Sequence, residues 1–312
     1  MRALTLLSPA LLLAGCSASG ILADALSSSG GGYGTDDDPE LVAAAVPFGL
    51  KTMEGVLVEQ PEHRGLLLAL ASGFTQYAYA FVLQDADRVA EESIEQSDRI
   101  RARGRKLLLR ARGYGMRGLD VEHEGFSKQV SADSQAALAR LGPDDVGHLY
   151  WTTASWALSI AAAKFDPAAL AEFPTVQAMG GRLLELDDTY GDGAVHSMMM
   201  SLEAARPGGD LEVAKTHYRR ALELSGGTSV GLYVSFAESV CVKEQDSRAF
   251  HRALNTAMAI DVDAHPKKRL ENTIFMRRAK RLKASSEDLF LDDVGADETE
   301  TSSASVESSE ST

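Results

Sequence analysis

Apolar residues recur three and four positions apart along most of this chain, which is the period of an amphipathic helix rather than a strand. In "LEVAKTHYRRALELSGG" (211–227), Ala214, Tyr218 and Ala221 fall on one helical face, and Gly226-Gly227 supplies a stop. A small–large–small face of this spacing is the second-helix signature of a tetratricopeptide repeat, whose small residues admit a neighbouring helix. The segment before it, "DDTYGDGAVHSMMMSLEAAR", serves as the first helix of that hairpin. The pattern returns at Gly104, Leu108 and Ala111, at Leu183, and at Phe250, Leu254 and Ala257. The anchors 111, 183, 221 and 257 are separated by 72, 38 and 36 positions, close to multiples of one helical hairpin. The expected fold is therefore all-α, an α-solenoid-like array of degenerate tetratricopeptide-type hairpins with neighbour-on-neighbour packing.

Two segments depart from the amphipathic pattern. Residues 65–84, "GLLLALASGFTQYAYAFVLQ", carry no charge and are long enough to span a bilayer. Ser72, Gly73, Thr75, Gln76 and two tyrosines interrupt them, so a helix sandwiched inside protein is the expected state. The second, "GHLYWTTASWALSIAAA" (147–163), holds both tryptophans of the chain among small side chains. Core packing accounts for such a concentration, and so does a ligand cavity. The residues taken as cavity-lining candidates are Phe74, Tyr77, Phe81, Tyr150, Trp151 and Trp156.

Composition agrees with helices: aromatics are 6% of residues and β-branched runs are few. The ends add compartment. Met1-Arg2, an apolar run and Leu13-Ala14-Gly15-Cys16 form a secretory signal (1–15) ending in a bacterial lipobox. Cys16 is the expected lipidation site, with palmitate among its acyl chains. Several buried methylenes per chain, at roughly 0.8 kcal/mol each, anchor a protein to a membrane. Ser17 in place of aspartate favours the outer membrane's periplasmic face. Residues 16–35 are expected to act as a lipidated flexible leash, 36–291 as the helical repeat domain, and 292–312 as a disordered acidic tail. The formal charge of −14 is concentrated at that end: nine acidic residues and no basic one lie from Glu287 onward. No basic stripe suggests nucleic acid.

Candidate chemistry is sparse. The seven histidines are scattered singly, without the i,i+4 pair of a zinc site. His123 stands between two glutamates, but neighbouring side chains on a loop diverge. Cys241, between Val240 and Val242, reads as a small buried apolar residue. "GGTSVG" (226–231) follows a helix, so it stops one rather than cradling phosphate. "LELDDTYGDG" lacks the alternating ligands and closing glutamate of a calcium loop. Asp36, Asp37, Asp38 and Glu40 crowd together in "DDDPE"; Asp38 before Pro39 reads as an N-cap, with Glu40 facing the positive helix end. No catalytic residue, metal or cofactor is expected.

The block "DDDPELVAAAVPFGLKTMEGVLVEQPEHRGLLLALASGFTQYAYAFV" (36–82) closely resembles the opening of the TRAP transporter T-component lipoproteins. So do "LLLRARGYGMRGL" (107–119), "DDVGHLYWTTASWALSIA" (144–161), "RLLELDDTYGDGAVH" (182–196) and "AKTHYRRALELSGG" (214–227), in that order. The resemblance implies a helical repeat fold, a homotrimer around a pore-like cavity, and partnership with the periplasmic solute-binding subunit of a TRAP-type transporter. It implies handling of an apolar or organic-acid ligand rather than catalysis. The alternative is a lipid-anchored scaffold for envelope protein assembly.

Overall fold

The computed structural model describes Ala23 and residues 33–163 and 166–291; Cys16, the signal segment and the acidic tail lie outside these. Among the described residues every regular element is helical. Helix α1 (Pro39–Glu59) begins as the sequence dictates: the Asp38 carboxylate accepts the Leu41 N–H at 2.9 Å, and Pro39 loses nothing by lacking a donor there. Helix α2 (Arg64–Val89) starts on His63, whose ring nitrogen accepts the Leu66 N–H, and passes through a π-helical segment at Ala78–Leu83. Helix α3 (Ile94–Glu122) is capped by Ser93.

Short helices α4 (Phe126–Ala132) and α5 (Ser134–Leu138) lead to α6 (Val146–Ala162), and α7 (Pro167–Leu170) leads to α8 (Phe173–Leu186). Helix α9 (Tyr190–Ala205) pairs with α10 (Leu211–Ser225), which stops at Gly226 in the left-handed conformation, φ 61°. Helix α11 (Val230–Phe236) runs on through a second π-helical segment, Ala237–Cys241, into Val242–Glu244. Helix α12 (Ser247–Met258) and α13 (Arg269–Ala284) complete the body.

Helices adjacent in sequence pack on one another: α2 on α3, α6 on α8, α9 on α10, α11 on α12. The anchors Ala111, Leu183, Ala221 and Ala257 are all buried at these contacts. Helix α2, whose stretch 65–84 carries no charge, is packed against α1, α3 and α6, with Leu66, Leu67 and Leu70 wholly buried, each burial stabilising by roughly 1.5–3 kcal/mol. Both α1 and α2 are long and apolar enough to cross a membrane, but α1 is much the less covered of the two. Ala23, within the segment expected to act as a leash, is wholly buried and belongs to the cluster of Leu50, Met53 and Leu57. Cys241 is also wholly buried, and burial pushes its thiol up to about 12, as its valine neighbours imply.

One feature exceeds neighbour-on-neighbour packing. Helix α13 returns to the start of the array: it contacts α1, Arg277 pairs with Glu40, and the Tyr79 and Phe275 rings meet at 5.8 Å. The first and last helices thus share a seam.

Candidate functional site

The six aromatic candidates do not form one wall. Phe74 is buried and stacks on Tyr114 at 6.0 Å under the Arg110 guanidinium. Trp156 is 1% exposed; its indole N–H donates to Glu172 at 2.5 Å, and Arg112 lies 3.5 Å over its ring. These two are packing residues. Tyr77 and Phe81 meet at 5.8 Å, and Phe81 alone of the six lines a cleft of about 310 Å³. Tyr150 and Trp151 meet edge to face at 5.0 Å, and Tyr150 also meets Tyr190 at 5.1 Å.

The Tyr150 group joins α6 to the start of α9. Tyr190 is delivered by an irregular lead-in to α9, where Gly191, Asp192 and Gly193 are all left-handed (φ 62°, 53° and 93°). At Gly193 only a bare backbone fits, since a Cβ would stand 3.1 Å from the Ala221 backbone. Tyr79, on the π-helical segment of α2, and Glu271, on α13, are close enough to Tyr150 to act on its hydroxyl electrostatically. Burial pushes the hydroxyls of Tyr79 and Tyr150 well above their ordinary value. Glu271 is exposed, and desolvation by the protein around it raises its carboxyl pKa, with Lys268 opposing.

At the seam, Arg278 ties three helices together. Its Nε and Nη2 donate to Glu238 of α11's π-helical segment at 2.7–3.0 Å, and its Nη1 donates to Asp87 of α2 at 3.2 Å. Asp87 also accepts from Arg101 of α3 at 2.8 Å. Burial works against the Arg278 charge, but Glu238, Tyr79 and Asp87 outweigh it and hold the guanidinium protonated. Burial raises the Glu238 carboxyl pKa against the pull of Arg278, but the forked geometry between the two is that of an ionised pair.

The cleft opens beside this clasp, between the start of α1, the π-helical segment of α2 and the outer side of α13. Ala43, Ala80, Phe81 and Ile274 give it an apolar wall. Gln84, Arg88, Arg277, Arg278 and Arg281 give it donors, against the carboxylates of Glu40 and Asp85. The aromatic pattern found Phe81 but missed this arginine set, Tyr79, Tyr190 and Glu271. The only sequence signal for the arginines is the basic density of "FMRRAKRLK" (275–283), which also fits a solvated helix face.

The remaining polar clusters are internal contacts. His123 bonds Asp145 at 2.8 Å, and His196 and His217 meet nitrogen to nitrogen at 2.8 Å. Among the described residues no group of three or more histidine, cysteine or carboxylate side chains is placed to hold a metal ion.

Comparison with known proteins places this architecture. The chain is 33% identical over 267 residues to an "Uncharacterized protein" of Treponema pallidum (strain Nichols), covering 82% of each sequence. Residues 35–290, nearly the whole described body, match the TRAP transporter T-component family. That family is a transport accessory rather than an enzyme family. With its all-helical body and the match across it, the chain belongs to the TRAP transporter T-component family.

Proposed function

We propose that this protein is a periplasm-facing lipoprotein subunit of a TRAP-type transport system. Acylated Cys16 holds it at the outer membrane, and the helical body docks the solute-binding subunit and binds or conducts an apolar or organic-acid ligand. The observation that carries this reading is the family match over residues 35–290. The hairpins α2–α3, α6–α8, α9–α10 and α11–α12 are read as degenerate tetratricopeptide units, each with small or apolar anchors at its contact. The interior beside Tyr79, Tyr150, Tyr190 and Glu271 is the proposed ligand path.

The proposed assembly is a homotrimer. One surface suits such an interface: Leu41, Phe48 and Val58 on α1 are 60%, 79% and 76% exposed, and their spacing puts them on one helical face.

The test is to purify the full-length lipoprotein from envelopes, measure its mass in the native state, and identify what accompanies it. A trimer carrying the solute-binding subunit supports the proposal, with Phe48→Asp expected to release monomers. A lipoprotein recovered intact without that subunit, under conditions that keep the trimer, overturns the docking role.

A further inference from the structure

We propose that the seam cleft between α1, α2 and α13 is a binding site for a small carboxylate with a short apolar body. Its lining shares no residue with the Tyr79, Tyr150, Tyr190 and Glu271 group, and it rests on the organic-acid part of the proposed function, which it sharpens to one site.

The argument starts from the charges. Four guanidinium groups line the cleft, and three are matched: Arg278 by Glu238 and Asp87, Arg277 by Glu40, and Arg88 by Asp85 at 2.7 Å. Arg281 is half-buried and makes no ion pair among the described residues; its Nη2 donates only to the neutral side-chain oxygen of Gln84, at 3.2 Å. Glu238, the nearby carboxylate, already takes three N–H bonds from Arg278. Arg281 thus has only a carboxylate shared with Arg278 as counter-charge, and an anion in the cleft would give this partly desolvated cation a nearer one.

A second observation is independent of charge. The Gln84 amide nitrogen is buried and has no hydrogen-bond partner. Its oxygen is committed to Arg281, which fixes the nitrogen as the donor left over. Gln84 and Arg281 line the same cleft, so a buried amide N–H and a guanidinium without a direct ion pair stand side by side there.

The cleft's size and opposite wall select the ligand. About 310 Å³ is at the small end of ligand sites. Ala80, Phe81 and Ile274 offer apolar surface that a bare inorganic anion would leave uncovered. A planar carboxylate matches the guanidinium fork, and its short hydrocarbon body covers that wall.

Isothermal titration of the full-length protein with hexanoate, its neutral isostere hexanamide, and inorganic phosphate tests this. Hexanoate should bind at least about tenfold more tightly than either of the others. Arg281→Gln and Gln84→Leu should each weaken hexanoate about tenfold, while Arg99→Gln, an exposed arginine paired with Glu95, leaves it unchanged. Circular dichroism confirms folding. If either cleft variant unfolds, Ala80→Leu, which fills the cleft, should abolish binding. Absence of hexanoate binding, equal binding of hexanamide, tighter binding of phosphate, or insensitivity to Arg281→Gln each overturns the assignment.

Discussion

Gly118 of α3 presses directly on His148 of α6: a Cβ at Gly118 would stand 2.2 Å from the ring's Cδ2. One turn earlier, a Cβ at Gly115 would stand 2.1 Å from the Thr152 hydroxyl oxygen and 3.3 Å from its Cα. These two glycines let α3 and α6 form the broadest helix contact in the body. Gly118→Ala therefore overpacks the contact, and its gain in helix propensity, about 1 kcal/mol, is the smaller effect. We expect a net loss of roughly 1–3 kcal/mol by urea denaturation. Gly113→Ala, where a Cβ meets nothing within 4 Å, should instead stabilise slightly.

The same histidine makes stability depend on acidity. His148 Nε2 donates to the Arg64 carbonyl at 3.1 Å, and burial, then the Arg64 charge, lowers its pKa to about 4 against the opposing influence of that hydrogen bond and of Asp145. An unfolded histidine titrates near 6.5, so between those values the unfolded chain binds the additional proton. Stability from this residue is thus complete at neutral pH, falls as pH drops through 6.5, and stops falling near 4. The full difference is about 3 kcal/mol. Urea titrations across this range should show a shallower pH slope in His148→Gln. The paired His196 and His217, whose pKa values burial also lowers, act with the same sign.

What the sequence made legible is what lies within one helical turn or one hairpin. Asp38 announced its cap, Gly226 its stop, and Ala111, Leu183, Ala221 and Ala257 their burial. The seam was illegible because its partners are far apart: Asp87 and Arg278 are separated by 191 positions, Gln84 and Arg281 by 197, and Glu40 and Arg277 by 237. No short-range period encodes such pairs. The aromatic set is divided for a local reason. Phe74 and Phe81, seven apart, share a face of an ideal α-helix, but the π-helical segment from Ala78 bonds i to i+5 and shifts the register. Phe74 therefore faces α3 while Phe81 turns to the seam.

The clasp predicts non-additive mutations. Arg278→Met leaves Glu238 and Asp87 facing each other without their shared cation, an expected loss of roughly 3–5 kcal/mol. Adding Glu238→Leu removes most of the stranded charge and should recover part of that loss. Equal and additive losses in the double-mutant cycle would show that the pair is screened by solvent and does not fasten the seam.

Trp156 offers a separate test inside the α3–α6 packing. Its ring is buried beneath Arg112, and its N–H donates to Glu172, which also pairs with Arg112 at 3.0 Å. Trp156→Phe preserves most of the apolar burial but removes the donor from a carboxylate that retains its arginine. The expected loss is about 1.5–3 kcal/mol, the range for a hydrogen bond to a charged group. Trp156→Ala opens a cavity as well and should cost roughly 3–5 kcal/mol. Arg112→Met tests the arrangement from the other side: it frees Glu172 from its cation while sparing the tryptophan's packing. The buried indole should then change its fluorescence with only a modest loss of stability, because Glu172 is partly exposed and can turn to water. A loss from Arg112→Met as large as that from Trp156→Ala would mean that the guanidinium, and not the indole, fills this part of the core.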